Sequence, residues 1–223
     1  MTKINTSMIL SAFVFYFLLL LSPIAAHADT MNLKLVSVGG QTSGSDYVFP
    51  YNFSFNGSTT LTPLMCISFK NEVSVGESWT ATLVPISGNQ TYVEAAYIFS
   101  EADAAGASAK TIAEAQWANW ELFDAGDQNL LNSVPSGYQS DINTMLSQAA
   151  LFAQNNVNTK IYSDLDVFVP VSGTQSSGGT PQSLIGDPVS QTPEPTSLLL
   201  LGSGLLVLAG LFYRRRRAAE VLA

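Results

Sequence analysis

Tyr47-Val48-Phe49-Pro50-Tyr51-Asn52-Phe53-Ser54-Phe55-Asn56-Gly57 is the stretch on which the fold class turns. From Tyr47 to Phe55 large residues recur at every second position, the spacing of a strand with one buried face. Asn56-Gly57 follows, a dipeptide that takes positive φ readily and so favours a tight hairpin turn. On the N-terminal side Leu33, Leu35 and Val38 open an earlier strand that Gly39-Gly40 closes. On the C-terminal side Leu61 to Phe69 and Val73 to Val84 continue the pattern, joined through Lys70-Asn71-Glu72. Thr, Val, Tyr, Phe and Trp dominate this region, as strands favour.

The period changes after Ser87-Gly88-Asn89. Val93, Ala96 and Tyr97 share one helical face between Thr91 and Ala102. Ser108 is placed to cap a second helix that ends near Gly126, and within it Gln116, Trp120 and Phe123 fall on one face. A third helix from about Ser140 to Gln154 carries Ile142, Met145, Leu146 and Ala149 as its apolar stripe. Ile161 to Val169 returns to strand, with Leu165, Val167 and Val169 alternating. Strands, then helices, then strand predict an α+β fold: a β-sandwich or open β-barrel with a helical insertion. Residues 170–192 are rich in Ser, Gly, Pro, Thr and Gln and read as a linker, in which Pro181 to Ile185 offers one short strand.

The two ends carry export signals. Lys3 precedes an apolar run from Met8 to Leu21, Pro23 breaks it, and Ala26-His27-Ala28 supplies the small-x-small pattern of a signal-peptidase site. Cleavage there leaves Asp29 first. The other end reads Pro193-Glu194-Pro195, an uncharged and mainly apolar stretch from Thr196 to Tyr213, and Arg214-Arg215-Arg216-Arg217. That stretch is long enough for a single transmembrane helix, and the arginines stop transfer on the cytoplasmic side. The tripartite end resembles the PEP-CTERM sorting signal. The resemblance implies processing near the Pro-Glu-Pro triplet by an exosortase, a membrane-embedded transpeptidase-like enzyme, and delivery to the cell surface or an extracellular matrix associated with exopolysaccharide. The expected organisation is a signal peptide (1–28), an extracytoplasmic domain (29–169), the linker (170–192), the sorting signal (193–217) and a cytoplasmic tail (218–223).

Composition narrows what the domain does. Of 223 residues 12% are charged, and the chain carries −8 overall. Between Asp29 and Thr192 there are four lysines, no arginine and fifteen acidic residues, a net −11. Nucleic-acid affinity comes largely from Lys and Arg neutralising phosphates, so no nucleic-acid partner is expected. The single histidine, His27, leaves with the signal peptide, which excludes Ser-His-Asp and Cys-His catalysis and histidine-ligated zinc. No cofactor, metal or enzyme activity is expected. Asp164 and Asp166, two apart, read as a solvated strand face, because no Asp-x-Asp-x-Asp-Gly loop accompanies them.

One cysteine and one glutamine carry the remaining chemistry. Met65-Cys66 at the end of an apolar strand and Ala115-Gln116-Trp117-Ala118-Asn119-Trp120 on a helix resemble the thioester domains of bacterial surface adhesins, in the order of Cys before Gln and in the Gln-x-Ala-x-Trp core. Ala115 stands where that family has Thr, Asn119 where it has an aliphatic residue, and Ser68 where Asp is expected. The resemblance implies a thioester between Cys66 and Gln116, shielded by Trp117 or Trp120, that captures a surface amine or hydroxyl once per molecule. Two other readings of Cys66 stay open: a small buried hydrophobe, and an intermolecular disulfide. The alternative function is a structural or exopolysaccharide-associated matrix protein without a thioester.

Overall fold

The structure is a computed structural model that describes residues 30–176 and 180–188. The signal peptide with Ala26 and Ala28, the Pro193-Glu194-Pro195 triplet, the expected membrane span and Arg214 to Arg217 lie outside the described residues. Among those described, no helix is long and apolar enough to cross a membrane.

Among the described residues, eight strands and four helices make up the domain, and its class is α+β. The strands are β1 (Thr30–Val38), β2 (Thr42–Ser43), β3 (Asp46–Tyr47), β4 (Tyr51–Phe55), β5 (Leu61–Cys66), β6 (Ser78–Pro85), β7 (Asp166–Pro170) and β8 (Leu184–Gly186). Six of them close a barrel in the order β1-β4-β5-β8-β7-β6, every pairing antiparallel, while β2 and β3 form a small separate hairpin. The sheet is therefore neither a sandwich nor an open barrel. Closure comes from β8, which pairs Leu184 with Cys66 and Ile185 with Met65 on one side and Val167 with Ile185 on the other. β8 lies inside the stretch read as a linker, so that part of the chain belongs to the barrel. Gly186 matters here, because a Cβ on it would stand 2.5 Å from the Leu64 side chain of β5.

Local chemistry explains the boundaries. Asn56 and Gly57 both adopt positive φ, 50° and 77°, and turn β4 into β5. Pro50 has no N–H to give a ladder, and the long alternating run splits there into the β2–β3 hairpin and β4. Phe53 and Phe55 point into the barrel with Met31, Leu33, Leu35 and Trp79, and Phe53 meets Trp79 edge to face at 5.6 Å. β6 begins at Ser78 and β7 at Asp166, later than expected: Asp164 lies in a turn rather than on the strand.

The helices are α1 (Gln90–Asp103), α2 (Ala109–Phe123), α3 (Gln128–Ser133) and α4 (Gln139–Asn156). Asn89 caps α1 by accepting from the Tyr92 N–H, and Ser108 caps α2 by accepting from the Thr111 N–H. Together they form a layer against the outer face of the barrel, where Met65, Ile67, Val167 and Ile185 meet Ala96, Trp117, Trp120 and Ala149. The alternation of side chains along β5 thus divides the domain. Leu64 and Cys66 belong to the barrel interior, and Met65 belongs to the core under the helices.

Candidate functional site

The site lies where β5 ends. Cys66 is the last residue of that strand and is wholly buried. The loop after it is clasped from two directions. On one side Asp124, capping the C-terminus of α2, accepts the Phe69 N–H at 2.6 Å and stands 3.5 Å from the Lys70 ammonium, which is equally close to Asp127. On the other side the segment before β8 docks onto the loop. The Ile67 N–H donates to Ser183 O at 2.9 Å, the Ser183 N–H donates to Ser68 Oγ at 3.3 Å, and the Asn71 amide reaches Pro181 O at 3.5 Å.

That second clasp delivers a glutamine to the cysteine. Gln182, 8% exposed, holds its Oε1 2.6 Å from Cys66 Sγ, and its Nε2 donates to the Asn71 carbonyl. The thiol also faces Ser68 O at 3.3 Å, and one S–H cannot serve both acceptors. A sulfur–oxygen separation of 2.6 Å is shorter than sulfur's radius allows for an ordinary S–H···O hydrogen bond.

Gln116 also reaches Cys66, by a different atom. Its Nε2 donates to the Cys66 backbone carbonyl at 2.5 Å, and its Oε1 is buried without a hydrogen-bond partner among the described residues. The geometry follows from strand alternation. α2 packs on the outer face of β5, beside Met65, whereas the Cys66 side chain belongs with the barrel interior. Gln116 therefore anchors the strand end, and Gln182 is the glutamine against the sulfur.

Trp117 and Trp120 meet edge to face at 4.9 Å, and Phe69 packs against Trp120 at 5.2 Å. Trp117 is wholly buried, and its N–H donates to Ser43 Oγ at 2.9 Å, tying the β2–β3 hairpin to α2. The Trp120 N–H is buried and has no hydrogen-bond partner among the described residues. Burial pushes the Cys66 thiol up to about 12, a rise that the Ser68 backbone and the Trp120 indole oppose. Tyr51 is also raised, first by burial and then by its proximity to Cys66 and Asp46. Its hydroxyl donates to Tyr47 O at 2.5 Å.

Gln182 escapes a sequence reading because it sits in a polar, Gly- and Ser-rich stretch. Its only signal is the short apolar pair Leu184-Ile185 that follows. Among the described residues no three His, Cys, Asp or Glu side chains converge as a metal group.

Residues 191–217 match the PEP-CTERM protein-sorting motif. The chain carries a PEP-CTERM sorting signal. That signal includes Pro193, Glu194, Pro195 and the four arginines, and it implies exosortase processing and export through a membrane-anchored C-terminal segment. No curated protein and no solved structure matches the chain at a significant level.

Proposed function

We propose that this PEP-CTERM protein is a surface-displayed covalent capture module, an adhesin-like domain whose thioester joins Cys66 Sγ to the side-chain carbonyl of Gln182. The observation that carries the reading is the 2.6 Å approach of Gln182 Oε1 to the sulfur inside a buried pocket. In forming the bond, the Cys66 thiol loses its proton and the sulfur attacks Gln182 Cδ. The bond from Cδ to Nε2 then breaks, and ammonia leaves with that proton. The Asn71 carbonyl, which accepts from Nε2, holds the amide in place for this step. The thiolate is the nucleophile; burial opposes that charged form, and the Ser68 backbone and the Trp120 indole offset it only in part.

Gln116 is a positioning residue in this scheme. Its hydrogen bond to the Cys66 carbonyl fixes the strand end that presents the sulfur. Burial of Cys66 and Gln182, together with the rings of Phe69, Trp117 and Trp120, keeps water from the acyl carbon. An incoming nucleophile displaces the sulfur and keeps the acyl group, so each molecule reacts once. The domain is accordingly not a turnover enzyme. Signal-peptidase cleavage after Ala28 and exosortase action near Pro193-Glu194-Pro195 would expose it outside the inner membrane.

Incorporation of a biotinylated amine tests the assignment of the pair. The native protein should become labelled, with the label on Gln182, and both Cys66→Ala and Gln182→Ala should remain blank. Label retained in Gln182→Ala, or found on Gln116, would overturn the pairing.

A further inference from the structure

A cleft of ≈ 510 Å³ opens beside the Cys66–Gln182 pair. Its buried wall includes Gln182, Tyr51 and Trp120, with Phe69 and the half-exposed Tyr47 alongside. Three carboxylates, Asp46, Glu72 and Asp127, also line it, against the single cation Lys70. The Lys70 ammonium is already shared between Asp124 and Asp127, each 3.5 Å away. Resting on the thioester reading above, we infer that this cleft selects its nucleophile: a positively charged primary amine on an unbranched alkyl stem, in preference to a sugar hydroxyl or a ring-borne amine.

Two features support the selection independently. The first is charge. An alkyl amine approaches near neutral pH as ammonium, and a cleft of net negative charge raises its local concentration, whereas a neutral hydroxyl gains nothing and an anionic polysaccharide is repelled. The second is shape and surface. Gln182 is 92% buried, by its 8% exposure, so the reacting atom must arrive on a narrow stem. The rings of Tyr51, Phe69 and Trp120 suit methylene groups, and aromatic faces attract a cation.

Trp120 lines the same wall, and its buried N–H, which has no hydrogen-bond partner among the described residues, lies beside the Cys66 sulfur. A thioester sulfur is a poor acceptor, but the sulfur becomes a thiolate as it is displaced, and this donor then has a partner. The chemistry balances. The ammonium first gives one proton to solvent, and the neutral nitrogen then attacks Gln182 Cδ. The bond from Cδ to sulfur breaks, and the second proton passes from nitrogen to Cys66 Sγ. An amide and a free thiol remain.

Competing probes on the full chain purified in detergent test this, with adducts counted by intact mass. Cadaverine supplies the charged alkyl amine, methoxyamine a nucleophile uncharged near neutral pH, glucosamine a ring-borne amine, and glycerol a hydroxyl. Cadaverine should add well ahead of glucosamine and glycerol, and its rate relative to methoxyamine should fall as ionic strength rises. In the D46N/E72Q double variant that ratio should drop by about tenfold, the low end of what a charged cleft contributes. Glu72→Gln alone, at an exposed position, should lower it in the same direction. A ratio indifferent to both salt and substitution, or glucosamine and glycerol adding as readily as cadaverine, would overturn the selection and leave the thioester standing. No methoxyamine adduct on the native chain would instead sink the thioester reading, and this inference with it.

Discussion

Opening the proposed Cys66–Gln182 thioester should destabilise the whole barrel, because that bond would staple its closing strand. Cys66 and Gln182 are 116 residues apart in sequence, and between them lie β6, all four helices and β7. β8 itself pairs through only two residues with β5 and three with β7. A cross-link closing a loop of that length removes denatured-state entropy worth about 4.8 kcal/mol at 25 °C in the chain-entropy treatment. With a urea m-value of about 2 kcal/mol/M, that is a midpoint shift of roughly 2 M. The assay needs no mutation. Native protein and protein opened completely by methoxyamine are unfolded in parallel, followed by the fluorescence of Trp79, Trp117 and Trp120. The opened form should unfold at clearly lower urea. Coincident midpoints, with the adduct verified by mass, would refute the idea that the bond spans β5 and the approach to β8.

Four further outcomes follow from the structure and the sequence. In the opened protein Cys66 is a buried thiol raised to about 12, so it should react slowly with thiol reagents at pH 8 and rapidly once urea unfolds the chain. Because that acid's folded value lies above its unfolded one, the opened form should lose additional stability as pH climbs from about 9 towards 12, a loss that the intact form lacks. Gln116→Ala leaves the buried Cys66 carbonyl without its donor and should cost about 1–3 kcal/mol in unfolding experiments. Replacing Pro193, Glu194 and Pro195 together should trap the protein in the inner membrane; undiminished release in cell fractionation would show that the triplet does not direct sorting.

Much of the barrel is legible in the sequence because its strands alternate under a constraint of period two. The stretch from Tyr51 to Phe55 with its Asn56-Gly57 turn, and the run through Leu33 and Leu35, are the plainest cases. The second helix announces itself by its cap, with Ser108 accepting the Thr111 N–H as expected, whereas the Asn89 cap of α1 emerges only from the structure. Closure is not legible. The sequence offers a short strand between Pro181 and Ile185, which β8 overlaps, but three residues in a polar stretch cannot show that they pair with β5 and β7, far away in sequence. The short helix α3, six residues capped by Asp127, is missed for a similar reason. Conversely Val73 and Ile161 look like strand residues and lie outside β6 and β7.

The candidate site divides along the same line. Cys66 is readable as a cysteine ending an apolar strand, and Gln116 as a helical glutamine that packs inwards, both local properties. The sequence cannot show which side of β5 the helices cover, and that decides which atom Gln116 reaches. With the helices outside and the thiol with the barrel interior, the backbone carbonyl falls to Gln116. The sulfur falls to Gln182, which arrives with the strand that closes the sheet.

The intact mass of the purified native protein, set beside those of Cys66→Ala, Gln182→Ala and Gln116→Ala, tests the central claim most directly. The native chain should weigh less than its processed sequence by the mass of one ammonia. The deficit should vanish in Cys66→Ala and Gln182→Ala and persist in Gln116→Ala. A native mass equal to the sequence mass, or a deficit that disappears with Gln116 and survives loss of Gln182, would contradict the account.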